Sequence, residues 1–134
     1  MQGAGEFDFG QHDAGLGGAR ILDPEVIDGL LALGGDDDPG LLGELIEMYL
    51  DDAEQRMTVM LAALESGDCE TVGKVAHALK SASANMGALE FSKVCLELEQ
   101  NATSGVHQGE VAPRVQNMYS EVASVLSRLK SCTN

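Results

Sequence analysis

Apolar side chains recur at intervals of three and four along most of the chain, which is the period of a helix rather than of a strand. Asp23-Pro24 pairs a capping residue with proline at the first helical position, and a short helix is expected from there to about Leu33, with Gly34-Gly35 stopping it. Asp38-Pro39 repeats the start signal. A long helix over about 40–65 follows, with Leu41, Leu42, Leu45, Met48, Tyr49, Ala53, Met57, Met60, Leu61 and Leu64 as its apolar positions. Ser66-Gly67-Asp68 closes that helix, and Asp68 is placed to cap the next, from about Cys69 to Asn85. Gly87 stands where a left-handed C-terminal residue belongs. A fourth helix covers about 88–103, burying Phe91, Val94, Cys95, Leu98 and Ala102. A loop at 104–110 contains His107. The last helix, about 111–131, carries Val111, Val115, Met118, Val122, Val125, Leu126 and Leu129, with Pro113 confined to its first turn. Long amphipathic helices joined by short loops predict an all-α fold. The economical arrangement is an antiparallel four-helix bundle with an additional short N-terminal helix.

Composition narrows the function. Of 134 residues, 44% are hydrophobic and only 4% aromatic, with no Trp, so one domain with one core is expected over 20–134. Residues 1–19 hold Gly3, Gly5, Gly10, Gly15, Gly17 and Gly18 and read as a flexible linker or an expression remnant; His12 within them is given no role. The 8 basic against 22 acidic residues leave a net charge of −14. That charge argues against nucleic acid, which needs a cationic surface, and against anionic lipid. No apolar run approaches the roughly 20 residues of a membrane span, and no signal peptide is visible, so a cytoplasmic location is expected. Cys69, Cys95 and Cys132 are odd in number and widely spaced, and read as buried or half-buried reduced thiols. No metal site is expected, because His/Cys pairs at short spacing are absent.

One residue breaks the helical pattern. On a wheel turning roughly 100° per residue, Val72, Val75, Ala76, Leu79, Ala82, Ser83 and Met86 share the buried face of the third helix, and His77 lies about 140° from its centre. His77 therefore points at solvent from mid-helix. Gly73, Ser81 and Ala84, all small, lie within two turns of it, and Lys74 and Lys80 stand three residues to either side. Gly73 in a helix interior costs up to about 1 kcal/mol relative to Ala, and close approach of a partner would offset that. Charge points the same way. Residues 23–70 contain 14 acids and one base, Arg56, whereas 71–89 contain no acid and two lysines. An exposed imidazole on a cleared, cationic surface suits an anion, and a phosphoryl group is the anion an imidazole carries most naturally.

The segment His77-Ala78-Leu79-Lys80-Ser81, its run of small residues and Gly87 ten positions after the histidine resemble the signature of histidine-containing phosphotransfer (HPt) domains. The resemblance covers residues 21–131. It implies a helical bundle that relays phosphoryl groups between aspartates of receiver domains, possessing no cofactor of its own and meeting Mg²⁺ only on the partner receiver. It implies the phosphoacceptor role for His77, charge compensation for Lys80, the motif glycine for Gly87, and a polar contact to the imidazole for Glu99. Glu99 would hold Nδ1–H and leave Nε2 as the nucleophile. Lys74, Gly73, Ser81 and Ala84 fall on the receiver-docking surface, and Lys93 is a lesser candidate. Ser81 departs from the pattern, which has Gly there.

The resemblance further implies a monomeric module, either free-standing or the C-terminal piece of a hybrid kinase whose sensor sits in the inner membrane. Three rival readings meet obstacles in the same residues. An autokinase phosphoacceptor region has an acid after the histidine, whereas Ala78 follows here, and the chain shows neither the room nor the motif for an ATP-binding domain. A di-iron bundle needs Glu-x-x-His, whereas Lys74 and Ser104 stand three residues before His77 and His107. A pure interaction module would not depend on His77.

Overall fold

A computed structural model of the chain describes residues 21–104 and 111–133. The Gly-rich stretch 1–19 with His12, and His107 in the expected loop, lie outside the described residues. Five helices follow in order: α1 (Pro24–Gly34), α2 (Leu41–Ser66), α3 (Cys69–Asn85), α4 (Leu89–Thr103) and α5 (Ala112–Thr133). Each lies within one to two residues of its predicted bounds.

The caps explain most of the boundaries. Asp23 accepts a hydrogen bond from the Glu25 amide with Pro24 at the first helical position, and Asp68 accepts from the Thr71 amide and hydroxyl. That pair of bonds, and more distantly Lys74, hold the Asp68 carboxyl below its ordinary range. The start of α2 differs from expectation. Its N-cap is Gly40, with no side-chain cap. Asp38 instead serves through its backbone, donating to the Gly34 carbonyl and accepting from the Leu41 amide, so the turn after α1 is closed by main chain alone.

Helices α2–α5 form the bundle. Contacts across it run in opposite chain directions: Gly73 faces Ala102 while His77 faces Glu99, and Phe91 meets Tyr119 while Glu97 meets Arg114, so α4 is antiparallel to both α3 and α5. The core is a continuous cluster that includes Leu42, Ile46, Met60, Leu79, Phe91, Leu98, Val115 and Leu126. Met48 is the exception among the predicted core positions of α2, standing 67% exposed. On a wheel of roughly 100° per residue it lies about 140° from the centre of the stripe that Leu42, Ile46, Ala53 and Met60 bury, beyond the half-buried Leu45. Tyr119, not among the expected core positions, is buried against Phe91 with ring centroids 5.9 Å apart. Of the thiols, Cys95 is buried, Cys69 intermediate and Cys132 exposed; the last lies on the terminal turn of α5, past the final core residue Leu129.

Two features fix the orientation of α3. Tyr49 on α2 and Ser83 on α3 share a buried 2.7 Å hydroxyl bond, which sets the roll of α3 against α2; burial pushes the Tyr49 phenol well above its ordinary range. At the α3–α4 corner Gly87 adopts φ +85°, and its carbonyl accepts the Asp23 amide at 2.8 Å. A Cβ there would meet the Asp23 carbonyl oxygen and Val26 at 3.3 Å, so glycine is required both by the turn and by the docking of α1.

Candidate functional site

His77 projects from the middle of α3, and its side chain is 63% exposed. The wheel reading of α3 holds. Val72, Ala76, Leu79 and Ser83 are buried on the opposite side, with Val75 and Ala82 partly covered at the flanks.

The ring is not free at both nitrogens. Glu99 on α4 reaches across to it, with Oε2 2.7 Å from His77 Nδ1, and its other oxygen, Oε1, lies 2.7 Å from Lys80 Nζ. Lys80 and, after it, His77 hold the Glu99 carboxyl below its usual range, so Glu99 is ionised. A carboxylate only accepts hydrogen bonds, so Nδ1 carries the proton and donates it. In the neutral ring the lone pair is then on Nε2, the nitrogen turned outward. Two helices thus bring three groups together: an exposed ring nitrogen, a carboxylate held against the other nitrogen, and an ammonium on that carboxylate's second oxygen.

The flanking residues sort differently from their positions in the sequence. Lys80, one turn after His77 and only partly exposed, is drawn into the cluster by Glu99. Lys74, one turn before, is 75% exposed and pairs with Glu70 at 3.2 Å within α3. Lys93 pairs with Glu90 at 3.2 Å and lies outside the cluster. The acid-free stretch of sequence is therefore not acid-free in space, because Glu99 arrives from the neighbouring helix. Ser81 is exposed one turn beyond His77, Ala84 is half-buried on the same helix, and Gly87 is buried at the corner.

A groove of about 470 Å³ runs from His77 toward the start of α3, lined by Cys69, Glu70, Gly73, Lys74, Glu99, Ala102 and Thr103. Gly73 forms part of its floor. A Cβ added there would meet the Ala102 Cβ at 3.5 Å, an ordinary contact, so the packing of α3 on α4 does not itself demand glycine. Ala102 and Thr103, the far wall of this groove, belong to α4 and were not legible as neighbours of His77 in the sequence. Ser92, also on α4, donates its hydroxyl to the Lys80 carbonyl at 2.9 Å and was likewise missed. Its one signal was a spacing of seven from Glu99, which puts both on one face of a helix. Among the described residues no group of three or more His, Cys, Asp or Glu is placed to hold a metal ion.

The profile of the Hpt domain family matches residues 44–129, which spans α2 through the last core residue of α5. The chain belongs to the Hpt domain family. The crystal structure of histidine-containing phosphotransfer protein B from Pseudomonas aeruginosa superposes with a TM-score of 0.75 at 28% identity, covering 84% of this chain and 96% of that one. The multistep phosphorelay regulator 1 of Schizosaccharomyces pombe is 27% identical over 93 residues, 69% of this chain. The matched part is 32% of that regulator, so this Hpt domain spans about a third of its curated relative. Among the described residues no helix is long and apolar enough to cross a membrane.

Proposed function

We propose that this Hpt domain accepts a phosphoryl group on Nε2 of His77 from the aspartyl phosphate of a receiver domain and passes it to the aspartate of another. The observation that carries the assignment to His77 is the pair of 2.7 Å contacts from Glu99, which fix the ring with Nδ1–H inward and Nε2 outward. Family membership and the two relatives support the phosphorelay setting.

The chemistry needs little beyond alignment and charge compensation. The Nε2 lone pair attacks phosphorus, the Nε2–P bond forms, and the P–O bond to the donor aspartate breaks, with the electron pair returning to its carboxylate. No proton has to move, because Nδ1 keeps its hydrogen throughout. The ring becomes cationic as it takes the phosphoryl group, and Glu99 sits against the nitrogen that shares this charge. Lys80 lies beside the incoming oxygens and compensates them. The reverse sequence delivers the group to the next receiver. Mg²⁺ is held by the receiver's acidic residues, and this chain supplies no cofactor. Gly73, Lys74, Ser81 and Ala84 lie on or beside the surface where the receiver docks, and Gly87 holds the corner that orients α3. The domain works as a cytoplasmic monomer and takes its phosphoryl group from a receiver rather than from ATP.

The test is to mix the protein with a phosphorylated receiver and follow acid-labile, base-stable label. Wild type acquires it and His77→Gln does not. Absence of label on wild type, or equal label on both, overturns the assignment.

A further inference from the structure

Several helical hydroxyls in this protein turn back on their own helix. Thr58, Thr103 and Ser104 each donate to the carbonyl four residues earlier, at 3.0, 3.1 and 3.4 Å. That is the ordinary behaviour of Ser and Thr inside helices. Ser92 does otherwise. Its hydroxyl reaches across to α3 and donates to the Lys80 carbonyl at 2.9 Å, in a half-buried setting.

The acceptor is the residue whose ammonium completes the His77 cluster. Lys80 is therefore gripped twice by α4: at its backbone by Ser92 and at Nζ by Glu99. Ser92 and Glu99 are seven residues apart, two turns, and so lie on the same side of α4. Cys95, between them, is buried. Apolar packing along this seam tolerates small slides of one helix on another, while the directional 2.9 Å hydrogen bond from Ser92 does not. We propose that Ser92 is a positioning residue for the phosphotransfer site: its tie to the Lys80 carbonyl sets the axial register and roll of α4, so that Glu99 reaches His77 Nδ1 and Lys80 Nζ together. This rests on the reading of His77 as phosphoacceptor, and extends it to a residue that touches neither the ring nor the phosphoryl group.

The test uses the full chain with two readouts. Nitrogen-15 NMR of the His77 ring reports the share of the Nδ1–H tautomer and needs no phosphoryl chemistry. Phosphoramidate supplies a phosphoryl donor in which the P–N bond breaks, ammonia leaves and Nε2–P forms, so the rate reports the nucleophile without a partner protein. Ser92→Ala is expected to mix the tautomers and slow phosphorylation by about tenfold, the scale of a misplacement of under an ångström. Ser92→Thr, which keeps the hydroxyl, is expected to restore both. In a Glu99→Gln background, Ser92→Ala is expected to add no further loss. An unchanged tautomer ratio and rate in Ser92→Ala overturns the proposal, and so does failure of Ser92→Thr to rescue, since the loss would then follow packing rather than the hydroxyl. If His77 is not the relay residue, the NMR readout still decides the role of Ser92.

Discussion

At His77 one nitrogen is held and the other is open, and substitutions of its two neighbours separate what each contributes. Lys80→Ala removes the ammonium that pairs with Glu99 beside the ring. Phosphoryl transfer is expected to slow by roughly 10- to 100-fold while the bundle stays folded, as circular dichroism and a transfer time course would report. A wild-type rate would remove Lys80 from the chemistry. Glu99 has a pH signature. Its folded-state carboxyl lies below the ordinary value of 4.5, held down first by Lys80 and then by His77. A depressed carboxyl stabilises the fold above the unfolded-state value, and that stabilisation is lost as pH falls through the folded-state one. The advantage of wild type over Glu99→Gln in urea melts should therefore be full above about pH 5 and shrink below pH 4. An advantage that persists unchanged into acid would mean that the ion pairs are not its source. His77, Lys80 and Gly87 were legible in the sequence because they lie within one helical segment and its cap. Glu99 entered only through the family resemblance, as a contact of the imidazole, and its pairing with Lys80 was not legible, because pairing between helices depends on a register that no local spacing specifies.

At the scale of single helices, the site depends on how α3 is rolled and where it stops. The Tyr49–Ser83 bond is buried between α2 and α3. Tyr49→Phe leaves the Ser83 hydroxyl without its partner and is expected to destabilise the bundle by about 1–3 kcal/mol, whereas adding Ser83→Ala should recover part of that loss. Denaturant melts of the two variants measure the difference, and an additive double variant would show that the hydroxyls do not act as a pair. Gly87→Ala meets both a left-handed backbone and the Asp23 carbonyl at 3.3 Å, so a loss of more than about 1 kcal/mol is expected, read as a lowered Tm. The helices themselves were readable because caps and periodicity agree along most of the chain. The start of α2 was misread because an Asp-Pro pair looks like a cap whether its side chain or its backbone closes the turn. Met48 was misread because a regular spacing does not say where a buried stripe ends.

Across the whole molecule the net charge of −14 is unevenly distributed. Residues 23–70, which make α1, α2 and the turns around them, carry 14 acids and one base. Much of that charge is exposed, as at Glu44, Glu47, Asp51, Asp52 and Glu54 on α2. Like charges on one side of a small bundle repel, and salt screens them over about 10 Å at 0.1 M. Raising ionic strength from low to physiological values should therefore raise Tm, and a falling Tm would show that the ion pairs at Arg56, Lys80 and Lys130 outweigh the repulsion. The same asymmetry leaves α3 and α4 less acidic than α1 and α2.

The central claim is that His77 passes on what it receives. Wild-type protein carrying isotopic phosphate, purified away from its donor, is mixed with a second, unphosphorylated receiver and Mg²⁺, and the label is followed over time. Label is expected to leave His77 and appear on the receiver's aspartate, and His77→Gln is expected to carry none to give. Label that stays on the protein until it hydrolyses to inorganic phosphate, or that reaches the receiver equally well through His77→Gln, would contradict it.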